Sequence, residues 1–305
     1  MIMLFTLVLI GATIWGINNT LRKHYLEKGM GVDEMVVGTM LGAGIFSFVA
    51  QLIVQGTPEI SDGFWIPFII TAVLNIAIQY LNVKAQKIEE NSITAPIQGL
   101  TPIFTLLTSW VILREFPTTF GLIGILSIVL GAYVLGIKGA RAETPKVLRF
   151  LPQKMQSSMQ SWGAPWWRLV HSKGAMLSLL TAFLGSVALN YDKLATLNSS
   201  PMVRVGAGSL VMATVVYTVS KISGQWKGVN KGFYIAIGIG LLVGLADVLM
   251  NAGFFYGIVP YVGSLKRFQI IVTAILAAIF LKEKYGKTRI WAAAIIFGGI
   301  VLIAF

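Results

Sequence analysis

No cysteine occurs anywhere in the chain. Disulfides, thiolate metal ligands and cysteine nucleophiles are excluded at once, and nothing about the redox compartment can be read. Histidine is almost as scarce: His24 and His171 are the only two, and both fall in basic connecting stretches. With no metal-ligand spacing, no nucleophile elbow and no phosphate-binding P-loop, the chain reads as neither an enzyme nor a cofactor or metal carrier. Charge is the third scarcity. Only 12% of the 305 residues are charged, where a soluble globular domain carries about a quarter.

What is present is apolar. Hydrophobic residues make up 56% of the chain, and its mean hydropathy is +0.78. Apolar runs close to the ~20 residues that a hydrocarbon core of ~30 Å requires recur ten times. They are Met3 to Leu21, Met35 to Val54, Phe64 to Val83, Ile93 to Leu113, Phe120 to Ile137, Ala175 to Lys193, Pro201 to Ser220, Phe233 to Tyr256, Tyr261 to Leu281 and Ile290 to Phe305. The expected fold class is an all-α membrane protein of ten transmembrane helices, with the lipid bilayer as its solvent. The first run opens apolar at Met1 without a basic flank, unlike a cleavable signal peptide.

The formal charge of +12 has a topological explanation. Of the 24 Lys and Arg, 19 lie in the connections after the odd-numbered spans, and only Arg114 clearly follows an even-numbered one. Basic residues between apolar runs mark cytoplasmic loops, so no nucleic-acid partner is expected. The same bias predicts a multi-pass protein of the cell (cytoplasmic) membrane with both termini outside.

The chain divides into residues 1–138, a linker of residues 139–173, and residues 174–305. The linker mixes Lys and Arg with Trp162, Trp166 and Trp167, a composition suited to lying on anionic headgroups at the cytoplasmic interface. Sliding the chain by 168 residues superimposes Glu115 on Glu283, Arg114 on Lys282, Leu113 on Leu281 and Gly131 on Gly299. Each half therefore repeats the same punctuation: an apolar helix, a basic-acidic pair, a short turn and a Gly-containing last helix. Because each half has five spans, the second copy must enter the bilayer inverted. Inverted repeats of this kind support alternating access. Gly38 with Gly42, and Gly240 with Gly244, have the spacing that allows close helix approach.

The string ENSITAPIQGLTPIFTLLTSWVILREFPTTFGLIGILSIVLGAYVLGI, from Glu90 to Ile137, resembles the EamA repeat of the drug/metabolite transporter superfamily. A second copy fits from about Gly253 to Phe305, and the WGINN of Trp15 to Asn19 is similar to the first-helix signature. The resemblance implies a ten-helix transporter built from two EamA repeats. Within the ninth span, GSLKRF (Gly263 to Phe268) resembles the Lys-Arg pair of the triose-phosphate/nucleotide-sugar translocator branch, where the pair grips a phosphate. Ten-helix members are often drawn with cytoplasmic termini, opposite to the orientation that the charge bias predicts here.

Lys266 and Arg267 are also conspicuous on physical grounds. A basic side chain in the middle of a membrane helix costs roughly 2.5 to 3.5 kcal/mol to insert and usually faces a cavity, a counter-charge or a ligand. The 168-residue offset pairs them with Gln98 and Gly99, so the positive pair belongs to the second half alone. Asp192, Lys193, Arg204 and Asp247 are the other ionisable groups inside spans, and Asp247 is the expected counter-charge of the pair. The candidate substrate-binding residues are Lys266, Arg267, Asp247, Asp192, Lys193, Gln98, Asn18, Asn19 and Tyr256. Pro102 is a candidate kink in the fourth span.

These residues point to a secondary transporter that moves a small polar organic anion, such as a phosphorylated metabolite, by alternating access. A proton or a counter-transported anion is the coupling partner such a carrier would use. The competing readings are an exporter of amino acids or amphipathic metabolites, and a flippase for a polyprenyl-phosphate-linked lipid.

Overall fold

The computed structural model describes residues 1–88, 94, 97–136, 172–226, 228–280 and 287–305. Among them every regular element is helical. The α-helices are α1 (Ile2–Glu27), α2 (Val32–Val54), α3 (Trp65–Ile88), α4 (Thr101–Leu113), α5 (Thr119–Gly136), α6 (Lys173–Leu197), α7 (Pro201–Ile222), α8 (Lys231–Ala252), α9 (Val259–Leu265), α10 (Phe268–Phe280) and α11 (Lys287–Ile303). Short 3-10 turns precede α3 and follow α8. Seven segments are long and apolar enough to cross a membrane, the seventh running through α9 into α10. Shorter apolar helices within residues 101–113, 119–134 and 291–303 fall on the fourth, fifth and tenth expected spans. The interfacial linker and the Lys282–Glu283 pair lie outside the described residues.

Two compact units share the chain. One contains residues 1–76 and 188–285, the other residues 77–187 and 286–305, so each draws on both sequence repeats. The first unit is held by backbone-to-backbone approach of α2 and α8. A Cβ at Gly42 would stand 2.1 Å from the Ile237 carbonyl oxygen, and one at Gly240 would stand 2.3 Å from that of Thr39. No larger residue fits such a crossing, which is how small residues drive packing where lipid removes the hydrophobic force between helices. In the second unit α5 and α11 meet in the same manner. There a Cβ at Gly131 would lie 2.8 Å from the Ala292 carbonyl, and one at Gly299 would lie 2.6 Å from that of Gly124.

The helix ends follow local chemistry. α1 closes in a Schellman motif: Gly29, at φ +91°, donates to Leu26 O, and Met30 donates to Tyr25 O. Gly224, at φ +69°, closes α7 likewise, with Gln225 donating to Ser220 O. Ser200 and Asn230 cap α7 and α8 by accepting from the N–H of Val203 and Phe233 at 3.1 Å each. Helical residues 97 and 98 are separated from α4 by a turn at residues 99 and 100, and the Gln98 carbonyl, one turn before Pro102, accepts from Thr101 Oγ1 at 2.6 Å. Pro102 itself stands in the first turn of α4, a position that does not require its missing donor.

The ninth expected span is not one regular helix. α9 ends at Leu265, α10 begins at Phe268, and the two residues between them are Lys266 and Arg267. The backbone tightens there into three-residue hydrogen bonds: Arg267 to Ser264, Gln269 to Lys266 and Ile270 to Arg267, at 3.0 to 3.3 Å. The first repeat tightens at the aligned place, where the N–H of Leu100 donates to Ile97 O at 3.1 Å just before α4 starts.

Candidate functional site

Tight turns of the 3-10 kind place successive side chains about 120° apart. Lys266 and Arg267 therefore leave the span in different directions. The Lys266 ammonium lies over the Phe254 ring, 5.3 Å from its centroid, within the ~6 Å range of a cation–π contact. The charges of Asp192, Asp247, Arg204 and Arg267 all act on it. Neither Lys266 nor Arg267 has a carboxylate within 4.0 Å among the described residues.

The two carboxylates have other partners. Asp247, on α8, accepts from the indole N–H of Trp15 on α1 at 2.7 Å. One turn on, Asn251 donates to the Asp247 backbone carbonyl at 2.8 Å. Asp192, on α6, is ion-paired to Arg204 on α7, and Thr71 on α3 donates to the same carboxylate oxygen at 2.5 Å. Lys193 donates to the Gly257 carbonyl at 2.9 Å. Six ionisable groups thus gather on the helices of the first unit. Four are cationic and two are acidic, a formal excess of two positive charges.

Of the sequence-derived candidates, the structure brings Asp192, Asp247 and Lys266 into one electrostatic cluster. Asp247, the expected counter-charge of the pair, acts electrostatically on Lys266 without a contact ion pair among the described residues, and its carboxylate accepts from Trp15. Gln98 belongs to the other unit and donates to Asn82 Oδ1 at 2.8 Å. Tyr256 is 48% exposed in the turn after α8. Asn19 is partly buried on α1.

Asn18 is fully buried, and neither its amide oxygen nor its nitrogen has a hydrogen-bond partner among the described residues. Asn251 Oδ1 and Ser264 Oγ are also buried and unpartnered. Trp15, Thr71, Phe254 and Ser264 join the site without having been singled out as ligands. Trp15 carried a signal, because it stands three residues before Asn18 and so shares a helical face with it. The other three are ordinary membrane-helix residues whose positions only the packing reveals.

Ten apolar helical segments among the described residues, two repeats and a charged cluster inside the helices define a multi-pass integral membrane protein. The chain belongs to the EamA-like transporter family, whose model matches residues 2–137 and again residues 172–305. It is thereby a membrane transporter of the drug/metabolite transporter superfamily with the two-repeat, ten-helix fold. No curated protein matches the sequence. A solved structure titled only as the crystal structure of a protein aligns over 99% of this chain and 98% of its own, at 16% identity and a TM-score of 0.74. At that identity it speaks for the fold alone.

Proposed function

We propose that this transporter is a secondary carrier of a small polar organic anion, held at Lys266 and Arg267 and moved by alternating access. One observation carries the reading. The two cations in the tightened turn lack contact ion pairs among the described residues, while Asp247 and Asp192 are engaged by Trp15 and by Arg204 with Thr71. A cation in a membrane span needs a counter-charge, and an anionic substrate supplies it. Arg267 offers a planar fork suited to carboxylate or phosphate oxygens, and Lys266 a compact charge. The buried, unpartnered groups of Asn18, Asn251 and Ser264 add neutral hydrogen-bonding capacity for the rest of the molecule. The likeness of GSLKRF to the triose-phosphate/nucleotide-sugar branch agrees with a phosphorylated substrate.

The basic loops favour a cytoplasmic-membrane protein with both termini outside. The test is uptake into liposomes containing the purified protein, screened across sugar phosphates, organic acids, amino acids and polyprenyl phosphates beside Lys266→Gln and Arg267→Gln. Anion uptake that falls in both variants supports the reading. An unmodified amino acid or a lipid moved equally well by all three proteins overturns it.

A further inference from the structure

Phe254 stands in the 3-10 turn that follows α8, Gly253–Phe255. It is only 2% exposed, although Phe255 and Tyr256 beside it are exposed. Packing fixes the backbone of this turn. A Cβ at Gly253 would lie 2.5 Å from Val8 Cγ2, and one at Gly257 would lie 2.7 Å from Leu4 Cδ2, so the first half of α1 rests directly on the chain there. From α6, Lys193 Nζ donates to the Gly257 carbonyl at 2.9 Å. The Phe254 ring is thus part of a held surface rather than an adaptable one.

Over that ring lies the ammonium of Lys266, 5.3 Å from the centroid. Lys266 is only partly buried, and no carboxylate lies within 4.0 Å of it among the described residues. The acids whose charges act on it, Asp247 and Asp192, are bonded to Trp15 and to Arg204 with Thr71. An aromatic face attracts a cation through the quadrupole of the ring, yet carries no net charge. A carboxylate in its place would cancel the charge that an incoming anion needs and would have to be displaced by it.

We propose that Phe254 is a positioning residue of the anion site: its ring holds the Lys266 ammonium apart from Asp247 and Asp192 without neutralising it, which keeps the whole charge for the substrate. This rests on the reading of Lys266 and Arg267 as anion ligands. The ammonium has three N–H donors, and the ring face occupies one side of it, leaving donors for phosphate or carboxylate oxygens. Lysine carries several rotatable bonds, so an unsupported ammonium is free to turn toward the two acids. Holding it beforehand spares the substrate that ordering cost and the competition with the acids. Phe254 acts through Lys266 and has no role apart from it.

The experiment uses the full chain purified in detergent and titrated calorimetrically with inorganic phosphate, a sugar phosphate and a dicarboxylate, the tightest of the three serving as the probe for every variant. Phe254→Leu is expected to weaken binding about 2- to 30-fold. Combined with Lys266→Gln, it should add nothing to the loss that Lys266→Gln causes alone, because the ring then has no ammonium to hold. Replacing Phe254 by 3,4,5-trifluorophenylalanine keeps the ring close to its size but drains the negative potential of its face, and should weaken binding as Phe254→Leu does; it also serves if the leucine variant fails to fold. Wild-type affinity with the fluorinated ring, or losses from Phe254→Leu and Lys266→Gln that simply multiply, would overturn the proposal while leaving the anion site standing. Lys266→Gln binding as wild type does, or no saturable binding of any probe, would overturn the anion site itself and this proposal with it.

Discussion

Lys266 and Arg267 illustrate how much one residue's neighbours decide. Sequence alone singles the pair out, because two adjacent cations inside an apolar run need a physical reason. It could not say what surrounds them, and the natural guess, an ion pair with Asp247, is displaced by a partner 232 positions away in the chain. The Trp15–Asp247 bond makes a prediction of its own. Trp15→Phe keeps an aromatic ring but removes the one side-chain donor that the Asp247 carboxylate has among the described residues. The purified variant should lose stability by about 1–3 kcal/mol, seen as a lowered Tm, and Asp247→Asn should soften that loss because a neutral amide tolerates a missing donor better. Equal Tm values for wild type and Trp15→Phe would show that the bond contributes nothing. Asp192 makes the same point about legibility. It was visible as an ionisable residue near the end of a span, but its engagement with Arg204 and Thr71 depends on three helices that the sequence does not place beside one another.

Among the elements, the helices themselves were the most legible part of the chain. Apolar runs of bilayer length mark them, and the glycine pairs of α2 and α8 mark a close crossing that the structure bears out to within a carbonyl oxygen of contact. Gly42→Val and Gly240→Val each insert a branched side chain where even a Cβ would stand 2.1 and 2.3 Å from backbone oxygen. Both should abolish the monodisperse folded protein in size-exclusion chromatography, whereas Gly238→Val, with open space around its Cβ, should elute as wild type does. The tightened turn at residues 266–267 was not legible. No proline or glycine stands at either position, so backbone propensity does not mark the departure from α geometry there.

For the molecule as a whole, the internal repeat was visible as shared punctuation, and the family match to residues 2–137 and 172–305 falls on the same two halves. The grouping of helices into compact units was hidden, since each unit takes segments from both repeats, and periodicity carries no information about which spans meet. The charge bias makes a prediction at this scale that the absence of cysteine renders easy to check. Single cysteines introduced near residue 1 and near residue 305 should both react with a membrane-impermeant maleimide in intact cells, and protection of both would reverse the orientation. The central claim, that Lys266 and Arg267 hold an anion, is tested most directly by the dissociation constant of the transported anion measured calorimetrically on purified wild type, Lys266→Gln and Arg267→Gln. Loss of a charge-assisted hydrogen bond worth about 1.5–3 kcal/mol predicts binding weaker by roughly 10- to 150-fold in each variant. A constant unchanged within twofold in both variants would contradict the account.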